Sequence, residues 1–135
     1  MIRKNFTKLK INGDNFKLKQ SERNLLSAIK KFDEACFDLI LEKEINLKLK
    51  RVKYRLTDAT IVYIQYNNYN EYSYSIVYSH LDQDLCRFDN YDQHWDVSSR
   101  PHHFHPRKIY KARESPMKGN PLDDMEELCL FLHSR

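Results

Sequence analysis

Long apolar runs, cysteine pairs and flexible linkers are what this 135-residue sequence lacks. No stretch approaches the ~18–20 apolar residues that a bilayer-spanning helix needs, so no transmembrane helix is read. The start, Met1-Ile2-Arg3-Lys4-Asn5, is basic, but no apolar segment follows it. Neither a secretory signal nor a membrane anchor is visible there, and a cytoplasmic location without membrane contact is the default expectation. No Pro/Gly/Ser-rich stretch divides the chain, and its length suits one core, so a single domain over residues 1–135 is expected. Cys36, Cys86 and Cys129 lie far apart, form no C-x-x-C pair, and leave one thiol over from any disulfide. That spacing favours reduced, structural thiols over a disulfide frame or a zinc knuckle.

Apolar and charged residues are both plentiful. Hydrophobic residues make up 41% of the chain and aromatics 13%, which is too much apolar material for a disordered segment. The mean hydropathy of -0.77 reflects the 31% charged content. The net charge of +4 is unevenly spread. Residues 1–20 hold Arg3, Lys4, Lys8, Lys10, Lys17 and Lys19 against Asp14. The run from Lys48 to Arg55 is basic with no acid, while Asp123, Asp124, Glu126 and Glu127 cluster near the C-terminus. A separated basic face suits phosphates or an acidic partner, although many such runs are simply solvated.

The pattern of apolar residues suggests an α+β fold. Asn12-Gly13 between Leu9, Ile11 and Phe16, Leu18 reads as a hairpin, with a basic arm as the competing reading of residues 1–20. Ser21 and Glu22 followed by Leu25, Leu26, Ile29, Phe32, Cys36, Phe37 and Ile40 predict a helix from about 22 to 41. From Ile45 the period falls to 2, and the apolar phase switches across Lys50-Arg51, where a β-bulge within one strand would restore the register. Further strands are expected over 60–66, 71–80 and 85–89, separated by short polar turns. The expectation is a four-stranded antiparallel meander with an N-terminal and a C-terminal helix packed on it. Residues 90–120 show no periodicity, and Pro121 opens a closing helix to about 133.

The chemistry concentrates late in the chain. In an extended Pro101-His102-His103-Phe104-His105-Pro106, His103 and His105 point to one side and His102 to the other. Imidazoles beside Arg100, Arg107 and Lys108 combine proton transfer with stabilisation of charge on a phosphate. Arg87 and Asp89 share a face of their strand, where Asp89 could orient a histidine and Arg87 hold phosphate. An ordinary ion pair and packing histidines are the plain alternative. Metal ligation by His102, His103, His105 or Asp89 is disfavoured, because His-x-His puts only two ligands on one face, and neither metal nor cofactor is expected. Tyr72, Tyr74 and Tyr78 could stack bases, but such a stripe more often forms a core face.

Four motifs follow one another in order: the Tyr-rich strand Tyr72-Ser73-Tyr74-Ser75-Ile76-Val77-Tyr78, then Leu85-Cys86-Arg87-Phe88-Asp89-Asn90, then Pro101-His102-His103-Phe104-His105, and finally Ser115-Pro116 with Pro121-Leu122-Asp123-Asp124-Met125. Together they resemble the TumE family, toxins of toxin–antitoxin pairs. The resemblance covers roughly residues 45–133. It departs where the family has a second His-His pair and this chain has Tyr91-Asp92-Gln93-His94, and where Asp82-Gln83-Asp84 lacks the family's glycine. Residues 1–20 have no counterpart. The resemblance implies a type II toxin with a cognate antitoxin as partner, similar in outline to RelE-like toxins by fold-level analogy.

The resulting expectation is a metal-independent endoribonuclease acting on RNA. Its catalytic residues would be His102, His103, His105 and Asp89, and its substrate-binding residues Arg87, Arg107, Lys108 and Tyr78. The partners expected are RNA and an antitoxin, with a homodimer also in view. The alternatives are a non-catalytic module that binds an acidic antitoxin or regulator, and a metal-dependent nuclease.

Overall fold

The computed structural model describes residues 17–91 and 96–135. Most of the expected N-terminal hairpin or arm, and His94 with Trp95, lie outside the described residues.

Helix α1 spans Gln20–Ala35 because Leu25, Ala28, Ile29 and Phe32 recur at helical spacing and are buried together. It begins before the expected position. The Lys19 N–H donates to Glu22 Oε1 at 2.8 Å, and Ser21, expected just ahead of the helix, lies within it, turns inward and donates to Asn68 Oδ1 at 2.6 Å. The helix also ends before residue 41, passing through a short 3₁₀ turn at Phe37–Leu39. Ile40 fits either periodicity, and pairing with Leu56 settles it as strand.

The described residues form a seven-stranded antiparallel sheet in chain order, where four strands were expected. Its strands are β1 (Ile40–Asn46), β2 (Arg51–Leu56), β3 (Ile61–Tyr66), β4 (Tyr72–Val77), β5 (Leu85–Asp89), β6 (His103–His105) and β7 (Arg113–Glu114). The phase switch at Lys50-Arg51 is a hairpin turn rather than a bulge. Asn46 Oδ1 accepts from the Leu49 N–H at 3.0 Å, and Lys50 takes a left-handed φ of 54°. Asn or Gly usually fills such a position, so the alternating Leu47-Lys48-Leu49-Lys50 reads as strand. The only irregularity in the β1–β2 pairing lies between Ile40 and Glu42. β6 and β7 are too short to show a period, but β6 pairs with β5 as Arg87↔His105, Phe88↔Phe104 and Asp89↔His103.

Helix α2 runs over Pro121–Ser134, with Asn120 Oδ1 accepting from the Leu122 and Asp123 N–H groups and Pro121 in the first turn. Both helices lie on the same face of the sheet. Phe32 of α1 packs on Tyr54 at 4.5 Å between ring centroids, and Phe131 of α2 lies edge-on to Phe88 at 5.2 Å. Val52, Leu56, Ile64, Tyr72, Tyr74 and Ile76 complete this core, each burial worth roughly 1.5–3 kcal/mol. Tyr72 and Tyr74 are thus core residues. Cys36 and Cys129 are joined as a disulfide between the end of α1 and α2, with Cα atoms 5.8 Å apart, against the expectation of reduced thiols. Cys86 is unpaired and buried. Spacing did not reveal the pair because packing of the two helices brings together residues 93 apart in sequence. No helix among the described residues is long and apolar enough to cross a membrane.

Candidate functional site

The opposite face of the sheet carries the polar side chains. Alternation sends Phe88 and Phe104 into the core, where they stack at 4.4 Å, and so sends Arg87, Asp89, His103 and His105 the other way. At the centre is Asp89, whose side chain is 0% exposed. Its Oδ1 accepts from His103 Nε2 at 2.6 Å and from the Tyr91 N–H at 3.2 Å. Its Oδ2 accepts from Arg87 Nε and lies 3.9 Å from His105 Nε2.

His103 is buried as well, and its Nδ1 faces the Pro101 carbonyl at 3.0 Å. The ring thus bridges the Pro101 carbonyl and the Asp89 carboxyl, one at each nitrogen. His103 is therefore a fixed, inward group that holds its neighbours in place. His105 stands perpendicular to it, with ring centroids 4.8 Å apart, and remains 18% exposed. The Asp89, His103 and His105 ligand atoms all lie within 4.8 Å of one another, close enough to hold a metal ion.

Above this layer opens a groove of about 420 Å³. Arg87, His105 and Lys108 line it together with Gln83, Ile109 and Tyr110. Three of the eight residues named from sequence thus share a groove, and Asp89 and His103 lie directly beneath it.

The other three lie elsewhere. His102 faces the opposite way, stacked on Tyr72 at 5.8 Å, with Nδ1 3.0 Å from the Tyr72 hydroxyl. Burial pulls its pKa below the ordinary imidazole value. Arg107 is held by Asp84, with Nε to Oδ1 at 2.5 Å and Nη2 to Oδ2 at 3.1 Å. Its guanidinium lies 4.2 Å over the Tyr78 ring. Asp84 raises the Arg107 pKa, while Arg107 and Ser79 lower that of Asp84. The Tyr78 hydroxyl points to Cys86 Sγ at 3.4 Å, and burial raises its pKa. Arg107, Asp84 and Tyr78 thus form a clamp of their own, and none of them lines the groove.

Sequence reasoning did not name Gln83, Ile109 or Tyr110. The β5–β6 pairing was the missing signal, since only that register brings the 106–110 loop over Arg87.

A family model described as Toxin TumE matches residues 27–130, most of the chain and all of the groove. No curated protein and no solved structure matches it.

Proposed function

The chain belongs to the TumE toxin family, and from that premise we propose that it is a toxin whose groove cleaves RNA without metal. A toxin of such a pair implies a cognate antitoxin as partner. The observation that carries the reading is one groove lined by an imidazole and two cations, over a buried carboxylate–imidazole pair. His105 takes the proton of a 2′-hydroxyl, whose oxygen attacks the adjacent phosphorus. Arg87 and Lys108 offset the charge that develops on the phosphorane and on the departing 5′-oxygen, which takes its proton from solvent. The products are a 2′,3′-cyclic phosphate and a 5′-hydroxyl. Asp89 and His103 are positioning residues that fix Arg87 and His105.

Purified protein incubated with cellular RNA tests this. Cleavage is expected in the presence of chelator, and loss of about a hundredfold or more in His105→Ala and in a His103→Ala, His105→Ala double variant. Intact RNA would remove the reading.

The Asp89, His103 and His105 triad supports a second reading, a transition-metal nuclease in which these three side chains would hold the ion, and the ion would supply Lewis-acid activation of a water. That reading requires chelator to abolish cleavage. The Arg87 guanidinium on Asp89 favours the first, because it already neutralises the carboxylate that a cation would need.

A further inference from the structure

The register of the open sheet face runs on from the groove. Residues directly opposite one another across five strands are Lys53↔Tyr63, Tyr63↔Ser75, Ser75↔Arg87 and Arg87↔His105. They form one transverse row from Lys53 to the groove histidine. A second row beside it runs Arg51↔Gln65, Gln65↔Ser73, Ser73↔Asp89 and Asp89↔His103. Side chains two apart on a strand share a face, so both rows stand on the side opposite α1 and α2.

The composition of the rows is unlike that of a face made for packing. Ser73 and Ser75 at the centre leave a low trough between a higher wall at Tyr63 and another at His105. The Arg51 guanidinium lies 5.0 Å over the Tyr63 ring, which puts a cation beside a flat aromatic surface. The acids on this face are already engaged or lie at the rim. Glu42 on β1 binds Arg55 at 2.8 Å, Asp89 binds Arg87 and His103, Glu71 accepts from Asn67 Nδ2 at 2.9 Å, and Glu44, opposite Lys53, and Glu114, opposite His103, lie on the two edge strands. Neighbouring strands lie about 4.8 Å apart, so four spacings carry the row roughly 19 Å from Lys53 to His105.

We infer that this trough is the binding track for a single-stranded RNA that crosses the strands toward His105. Lys53 and Arg51 contact backbone phosphates, and Tyr63 stacks an unpaired base away from the scissile bond. An unpaired strand suits the face because a single ring offers a stacking platform that a paired base cannot use. The inference rests on the proposed nuclease reading for its substrate, but binding can be measured apart from cleavage.

The test is fluorescence anisotropy of a labelled single-stranded oligoribonucleotide with the full chain carrying His105→Ala, which prevents turnover. Tyr63→Ala, and Lys53→Ala with Arg51→Ala, are each expected to weaken binding about tenfold or more. Tyr63→Phe should bind like the parent, which separates ring stacking from misfolding. The double variant should also flatten the plot of log K against log salt by about 1.4, at about 0.7 per lost phosphate contact. Lys30→Ala with Lys31→Ala on α1 should leave both quantities unchanged. In otherwise native protein, the Lys53 and Tyr63 variants should raise KM for cleavage and spare kcat.

Parent-like binding by the Lys53, Arg51 and Tyr63 variants overturns the inference even if RNA is cut. So does an equal loss in the α1 variant, or no binding of single-stranded RNA by the parent, as expected of a face that serves the antitoxin. Binding that depends on these residues without any cleavage supports the track and defeats the nuclease reading.

Discussion

Asp89 and Asp124 are both sealed from solvent, yet their neighbours differ in kind. Asp124, in the first turn of α2, meets only uncharged donors. Its Oδ2 accepts from the Tyr74 hydroxyl at 2.7 Å and the Gly119 N–H at 2.8 Å, and its Oδ1 from the Lys118 N–H at 2.8 Å. Tyr74 in turn meets Tyr66 at 3.0 Å between hydroxyls. That network pins α2 to the sheet on the core face. Asp89, on the other face, is surrounded by a guanidinium and two imidazoles below an open groove. A buried carboxylate among neutral donors is a fastening, whereas one among titratable and cationic groups beside a cavity is the arrangement that tunes reactive groups. The partners distinguish the two aspartates where burial does not.

Asp89→Asn gives the largest expected effect. Losing the charge frees Arg87 and turns one side of the carboxyl into a donor facing His103, so cleavage should fall by about a hundredfold or more while the chain still folds. The measurement is the initial rate on RNA, with circular dichroism as the folding control. Unchanged turnover would dissolve the contrast between the two aspartates.

Asp124→Ala should reverse the pattern. Three donors lose their acceptor, and stability in urea should fall by about 2 kcal/mol with the rate per folded molecule unaltered. Asp124→Asn should cost less, because an amide oxygen still accepts and the Tyr74 hydroxyl can turn to accept from the amide. Burial holds the Asp124 pKa above its ordinary 3.8. The folded state therefore keeps that proton more tightly than the unfolded one, and the contribution is full below pH 3.8 and lost as pH rises through the folded value. Urea titrations across acidic pH should show this slope in the native chain and not in Asp124→Asn.

The smallest effect belongs to an exposed pair, His133 with Asp38, at 2.9 Å between Nε2 and Oδ2. The hydrogen bond to Asp38 raises the His133 pKa from 6.5, and the same bond lowers that of Asp38 from 3.8. The pair's contribution is lost on the acid side as Asp38 protonates below 3.8, and on the alkaline side as pH climbs through the raised histidine value. His133→Ala should lower Tm slightly between those limits and leave it unchanged at about pH 9, well above the ordinary imidazole range. A constant difference across pH would show that packing, rather than charge, carries the contact.

Much of the asymmetry between the faces was legible in the sequence. β3, β4, β5 and α2 announce themselves by alternation, short polar turns and a first-turn proline. The shared face of Arg87 and Asp89, and the split between His102 and His103 with His105, follow from alternation alone. What alternation cannot supply is partner register. Pairing Asp89 with His103 buries both, leaving His105 as the groove-facing member of the three histidines, and no local pattern encodes that choice. The β1–β2 hairpin was hidden because Lys50 occupies a left-handed position without the usual Gly or Asn, although Asn46 marks where the turn begins. Arg107 and Tyr78 were named for their chemistry, but their partner Asp84 comes from a turn read only as punctuation.

The chemistry of the cut ends of RNA tests the central claim most directly. Native protein in excess chelator should leave a 2′,3′-cyclic phosphate on one fragment and a 5′-hydroxyl on the other, and His105→Ala should produce neither. Cleavage that requires a divalent metal and leaves a 5′-phosphate would contradict the account.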